Sequence, residues 1–263
     1  MVRNAFKNGW VTDQHGSWAM GFAPLIFGLI IADRTWLHFV LLGAWTFGFF
    51  FFAVAEKWLK FRFKPRYRPA LFTYAGLTAV FGLILIIGAP HLLWWSVLYV
   101  PLVAVSFHRA WRKRERELTS RLVAIVAAAM ILPVADNVPT SVAWFTPGGV
   151  SVKAWLFTAL LTMYFATTVP LVKTLIRESG SRAWFIGSVC AHVVAALIVA
   201  ALAFIGFATW PHVLVWVVLV VRAYALPVIA LRRGRRFNPR QIGRLEILAS
   251  LMVFATLPFG FAG

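Results

Sequence analysis

Charged side chains with helical spacing lie at the end of the second apolar segment of the chain. Glu56 precedes Lys60 by about one helical turn, and Lys57, Lys60 and Lys64 share one helix face. Lysine and arginine bind phosphate and carboxylate groups without a metal, so this end is predicted to form a cationic wall for an anionic ligand. The alternative is a helix end whose long side chains extend to the membrane surface. The ligand-binding residues predicted in this region are Lys57, Lys60, Arg68 and Tyr74.

A second charged cluster lies at the end of the sixth apolar segment. Lys173 and Arg177 are four residues apart, as are Glu178 and Arg182, and Pro170 is expected to bend the helix just before them. Opposite charges spaced one helical turn apart indicate an ordered arrangement of side chains, not merely a positively charged loop. We therefore predict that Lys173, Arg177 and Glu178 contact a ligand.

One arginine lies inside an apolar segment. Arg222 precedes Arg232 by ten residues, which is ~15 Å of helix, so it is predicted to lie near the middle of the bilayer. A charge at that depth costs at least ~2.5–3.5 kcal/mol and usually faces other helices. The partner is expected to be a bound anion, Glu56, Glu178 or Asp136. A structural salt bridge is the alternative to a ligand site.

A further group of polar and aromatic residues lies at the start of the first apolar segment. Gln14, His15 and Trp18 lie within five positions and are predicted to contact a ligand. The alternative is helix capping, with Asp13 or Ser17 as the N-cap. If the protein is catalytic, His15 and Glu56 are the predicted proton-transfer residues.

The composition identifies the class of protein. The chain has 263 residues, of which 61% are apolar and 13% charged, whereas soluble domains have about a quarter charged residues. The net charge of +18 suggests nucleic acid, but a soluble basic domain of this size could not bury 24 Phe and 13 Trp residues. Cys190 is the single cysteine and the histidines are scattered, so neither a disulfide nor a metal site is predicted.

The apolar segments are long enough for membrane helices. Spanning the hydrocarbon core takes ~20 helical residues. The sequence predicts an all-α polytopic membrane protein with a single transmembrane domain, 1–263. Its nine predicted transmembrane helices are 17–32, 36–56, 70–89, 91–108, 120–136, 153–173, 184–206, 211–231 and 245–262.

The basic residues indicate how these helices are oriented. With nine spans, the N-terminus and four alternate loops hold 23 of the 26 Lys and Arg residues. Basic loops remain in the cytoplasm, so the N-terminus is predicted to be cytoplasmic and the C-terminus extracytoplasmic. The predicted location is the cell (inner) membrane, with multiple passes.

Two short segments resemble a known family. Residues 14–20, QHGSWAM, followed by Pro24, resemble the opening signature of the YwiC-like family of membrane proteins. Residues 66–70, RYRPA, also fit that family, and the length and number of spans agree. The resemblance covers most of the chain.

A more distant resemblance is to the UbiA superfamily of intramembrane prenyltransferases. In that superfamily, Asp-rich motifs end helices 2 and 6 and hold Mg²⁺, which binds a prenyl diphosphate, and an Arg-Pro pair precedes helix 3. Here Arg68 and Pro69 match the Arg-Pro pair, but the Asp-rich motifs are absent. Because one glutamate at each place is a poor ligand set for Mg²⁺, no metal is predicted and the cofactor is unknown.

The UbiA resemblance implies a UbiA-like bundle with a basic cavity on its cytoplasmic side. The predicted function is binding or modifying an isoprenoid or other anionic lipid there; an enzyme of this kind would be a divergent prenyltransferase-like transferase. The predicted partner is a membrane lipid such as an isoprenoid phosphate, not nucleic acid. The alternatives are a small-anion permease with Arg222 at its midplane and a non-enzymatic membrane assembly factor.

Overall fold

The computed structural model describes residues 6–12, 15–114, 117–139, 149–234 and 237–258. Within these ranges the regular structure is entirely helical. The chain divides into two compact units, Met1–Leu161 and Thr162–Gly263, which we call the first and second units. A single domain over 1–263 stays a prediction.

The first unit holds six helices and the start of a seventh. A 3₁₀ turn, Pro65–Tyr67, precedes α3, and a second, Pro90–Trp95, precedes α4. The helices are α1 (His15–Ile31), α2 (Leu37–Lys60), α3 (Arg68–Gly88), α4 (Ser96–Trp111), α5 (Leu118–Ala129), α6 (Ile131–Asn137) and α7 (Val152–Ile176).

The second unit holds the rest of α7 and three further helices: α8 (Arg182–Phe204), α9 (Trp210–Arg232) and α10 (Pro239–Thr256). The start of α10 is fixed by its sequence. The Asn238 side chain accepts a hydrogen bond from the backbone of Arg240, and the Gln241 side chain accepts one from the backbone of Asn238. Pro239 takes the first helical position, where its missing N–H costs nothing.

Within the described residues, each predicted span overlaps helical structure, and seven helical segments are long and apolar enough to cross a membrane. Large apolar side chains such as Phe39, Ile87 and Phe204 are exposed on these helices, as lipid-facing positions require. The chain is therefore a multi-pass membrane protein. Span 5 breaks at Met130 into α5 and α6, and α10 begins six residues before the predicted span 9.

Helix α6 forms the centre of the first unit, since all seven of its residues are buried. Helix α1 approaches it closely at Gly28, where an added Cβ would lie 2.9 Å from the Leu132 carbonyl oxygen. A core of apolar side chains from α1, α2 and α3 packs around α6. Two backbone segments can approach this closely only because Gly28 has no side chain.

Polar side chains from distant segments meet the end of α6. The imidazole Nε2 of His38 donates to the Ala135 carbonyl oxygen at 2.9 Å, and that of His91 donates to the Asn137 carbonyl oxygen at 2.9 Å. The Trp95 indole donates to the Asn137 side-chain oxygen, also at 2.9 Å. These contacts hold distant segments against the end of α6, and the His91 contact satisfies a carbonyl at the helix end. The scattered histidines therefore include two with a structural role.

Candidate functional site

The predicted residues of α2 lie in its last turn. Glu56, Lys57 and Lys60 are half-buried there. The Lys60 ammonium lies 5.6 Å from the centre of the Phe61 ring, and the cationic groups of Lys64 and Arg66 lie 5.9 Å and 6.0 Å from the centre of the same ring. Cations around an aromatic face are attracted by its quadrupole. This helix end is a basic and aromatic surface.

Two other predicted ligand residues of the first unit have packing roles. The Tyr74 hydroxyl donates to the Trp10 carbonyl oxygen at 2.7 Å, and its ring stacks on Phe50 at 5.1 Å. Trp18 packs against three rings at 5.4–5.7 Å, those of Phe22, Phe49 and Phe50. Arg68 is exposed at the start of α3. Tyr74 thus fixes the N-terminal segment on α3.

The structure describes only part of the predicted ligand-contacting segment at the start of α1. Gln14 lies outside the described residues, and the same holds for the side chain of His15, whose backbone begins α1. Their predicted roles stay predictions.

The second predicted cluster belongs to the second unit. The Lys173 ammonium lies 4.5 Å from the centre of the Trp184 ring. Helix α7 ends at Ile176, so Arg177 and Glu178 lie in the turn beyond it, and Arg177 is exposed. Pro170 lies inside α7.

A cleft opens near the end of α4, and every described residue that lines it has a basic side chain. Its volume is about 310 Å³, and its lining residues are His108, Arg109, Arg112 and Arg114. Glu117, at the start of α5, lies 2.6 Å from the Arg109 Nη1 and 3.6 Å from the Arg114 Nε. Among the described residues here, three arginines face one glutamate, which leaves a net positive charge. We call this site the basic cleft.

The basic cleft adjoins the end of α2 through Trp111. The Arg62 guanidinium lies 5.0 Å from the centre of the Trp111 ring, and Phe63 meets the same ring edge-on at 5.3 Å. Trp111 directly precedes Arg112 in the chain. The aromatic and basic residues after α2 are therefore continuous with the cleft.

Helices α2 and α4 are each followed by a cationic residue whose backbone conformation favours glycine. After α2, Arg62 has φ of 56°, and after α4, Lys113 has φ of 58°. The hydrogen bonds from the Phe63 N–H to the Trp58 carbonyl and from the Arg114 N–H to the Arg109 carbonyl close Schellman turns. In the second unit, α8 ends in the same way with Gly206. The cations are thus retained at an energetic cost.

A separate polar cluster lies inside the second unit. The Arg222 Nη1 lies 3.0 Å from the Glu246 Oε1, and these side chains are 10% and 22% exposed. Arg222 is buried, as its position within an apolar segment predicts, but its partner Glu246 is not among the predicted ones. Both residues lie near the middle of their helices, α9 and α10.

Three further polar residues belong to this cluster. The Tyr164 hydroxyl hydrogen-bonds to the Ser250 hydroxyl at 2.9 Å, and Ser250 lies one helical turn after Glu246 on α10. His192 is fully buried, and its Nδ1 donates to the Ser188 carbonyl oxygen at 2.8 Å. We call Tyr164, His192, Arg222, Glu246 and Ser250 the buried polar cluster. Its members come from α7, α8, α9 and α10.

Comparison with known proteins gives relatives of nearly the same length. An uncharacterised protein of Haemophilus influenzae is 25% identical over 94% of this chain and 96% of its own length. The uncharacterised protein YwiC of Bacillus subtilis is 24% identical over 94% of this chain and 96% of its own. No solved structure matches the chain. The predicted resemblance to the YwiC-like protein family is confirmed, since residues 11–136 of this membrane protein match that family.

Proposed function

We propose that this protein binds the phosphate headgroup of an anionic lipid, an isoprenoid phosphate or a phospholipid, at the basic cleft. The cleft lined by His108, Arg109, Arg112 and Arg114 is the observation that carries the proposal. Arginine forks match the geometry of phosphate oxygens and bind them without a metal. The adjoining rings of Trp111 and Phe63 suit the boundary between lipid headgroup and chain.

The position of the cleft supports this proposal. If basic loops remain in the cytoplasm, the cleft and the end of α2 face the cytoplasmic leaflet, where anionic lipids concentrate. The UbiA-like arrangement predicted from the sequence belongs to the same proposal, with Lys57, Lys60 and Arg68 as further headgroup contacts. The proposal assigns binding only, and no catalytic step.

Neutralising two cleft residues is the direct test. In the double variant Arg112→Gln, Arg114→Gln we expect the affinity for dioleoyl phosphatidic acid to fall by roughly tenfold, because two charge-assisted hydrogen bonds are lost. Native mass spectrometry of the full chain in detergent measures the affinity. A polyprenyl phosphate and inorganic phosphate, titrated separately, show which part of the lipid is recognised.

The matched control removes two arginines elsewhere. Arg232 and Arg233, exposed at the end of α9, are replaced in Arg232→Gln, Arg233→Gln. This variant is expected to bind like the unaltered protein. Equal losses in both variants would show that only total charge matters and would contradict the proposal.

The strained cation after α4 gives a second prediction. Lys113→Gly is expected to raise the free energy of unfolding by roughly 1 kcal/mol, because glycine adopts positive φ without a steric cost. The same change removes a charge beside the cleft and is expected to weaken phosphatidic acid binding. Denaturant titration and native mass spectrometry measure the two effects. A variant that binds equally well would show that the charge at Lys113 has no part in binding.

A further inference from the structure

The turn between α4 and α5 places a carboxylate against the arginines of the basic cleft. Glu117 is the N-cap residue of α5, but in the described part of the chain its side chain makes no capping hydrogen bond. Its carboxylate lies against the end of α4 instead. The Arg109 Nη1 donates to Oε2 at 2.6 Å, and the Arg114 Nε lies 3.6 Å from Oε1. The carboxylate of Glu117 therefore serves the arginines and not the helix start.

The two arginines that contact Glu117 are also lining residues of the cleft, whose volume is about 310 Å³. The side chains of Arg109 and Arg114 are 30% and 63% exposed, and that of Glu117 is 42% exposed. A ligand can thus reach both guanidinium groups and the carboxylate between them. The ion pairs and the predicted headgroup contacts involve the same two cations.

A phosphate that enters the cleft competes with Glu117 for these cations. Carboxylate and phosphate oxygens accept charge-assisted hydrogen bonds from the same guanidinium donors, and phosphate brings more oxygens. Two anions on one guanidinium repel each other. Because partly exposed ion pairs contribute little to stability, a phosphate can displace the carboxylate.

The backbone of the turn does not depend on the carboxylate. The Arg114 N–H donates to the Arg109 carbonyl oxygen at 2.8 Å, and the Glu117 N–H donates to the Arg114 carbonyl oxygen at 3.1 Å. The Arg121 N–H donates to the Glu117 carbonyl oxygen at 3.2 Å and continues into α5. These bonds remain when the Glu117 side chain moves away. A role in holding the turn together therefore does not account for the position of this carboxylate.

We propose that Glu117 is an internal competitor at the basic cleft: its carboxylate holds Arg109 and Arg114, and a lipid phosphate binds by displacing it. The cleft thereby binds its ligand less tightly than its arginines alone would allow, which keeps binding reversible. This inference rests on the proposed lipid-binding function and adds the residue that limits its affinity.

Glu117→Gln tests the competition, because glutamine keeps the shape and an acceptor oxygen for Arg109 but removes the charge. Its affinity for dioleoyl phosphatidic acid is expected to rise roughly fivefold to tenfold, measured by native mass spectrometry of the full chain in detergent. The same substitution made in an Arg109→Gln background is expected to give a smaller gain, because one of the contested cations is gone. Circular dichroism of each variant shows whether its helices are retained.

Asp33→Asn is the matched control, since it removes one negative charge from an exposed position between α1 and α2. It is expected to bind phosphatidic acid as the unaltered protein does, and a gain equal to that of Glu117→Gln would overturn the inference. Equal or weaker binding by Glu117→Gln, as a purely structural carboxylate predicts, would overturn it as well. If the unaltered protein still binds through Arg112 and Arg114, the lipid-binding proposal stands in both cases. Absence of phosphatidic acid binding by the unaltered protein would overturn both.

Discussion

Replacing Arg222 with methionine is expected to lower the free energy of unfolding by roughly 3–5 kcal/mol, because it leaves a buried carboxylate without its partner. The Arg222 and Glu246 side chains are only 10% and 22% exposed, so water replaces little of the lost interaction. Titration of the detergent-solubilised protein with a denaturing detergent, followed by circular dichroism, measures the change.

A double variant separates the buried charge from the lost packing. Arg222→Met combined with Glu246→Leu removes both charges and is expected to recover most of the stability, since apolar pairs often replace buried ion pairs without loss. Arg232→Met, on the exposed end of α9, is the matched control and is expected to change stability by less than about 0.5 kcal/mol. A loss in the double variant as large as in Arg222→Met would contradict the explanation.

The ion pair shows where sequence reasoning about this protein stops. An arginine within an apolar segment predicts a buried position, and the structure has Arg222 there. Its partner lies 24 positions further along the chain, and the pairing depends on how α9 and α10 are rotated against each other. The helix start at Pro239 places Glu246 near the middle of α10. The capping residues Asn238 and Gln241 are the sequence signal for that start.

The sequence predicts the positions of the helices better than it predicts the basic cleft. Apolar runs predict the helices because each must cross the same hydrocarbon thickness, and only their ends shift by a few residues. The cleft depends on side-chain directions after a Schellman turn at Lys113, which no apolar pattern specifies. From the sequence alone, Arg112 and Arg114 are two of the many loop cations that indicate which loops are cytoplasmic. Their grouping around one cleft follows only from the fold.

Helix α6 provides the second large effect, through its contact with α1. Gly28→Val is expected to lower the free energy of unfolding by about 3 kcal/mol, because the added side chain overfills the interface. A Cβ at this position would lie 2.8 Å from the Ala135 Cβ and 2.9 Å from the Leu132 carbonyl oxygen. The carbonyl is backbone within a fully buried helix, so it cannot move aside as a flexible side chain would.

The matched control is Gly76→Val in α3, where an added Cβ meets nothing within 4 Å. This substitution is expected to change stability by less than about 0.5 kcal/mol, because the new side chain meets open space. The same denaturation assay compares both variants. His38, His91 and the Trp95 indole all donate to oxygens at the end of α6. The larger side chain in Gly28→Val is expected to displace α6, and this displacement is expected to expose the Trp95 indole. Faster fluorescence quenching in Gly28→Val than in Gly76→Val would show this, and equal stability of the two variants would contradict the close approach of α1 and α6.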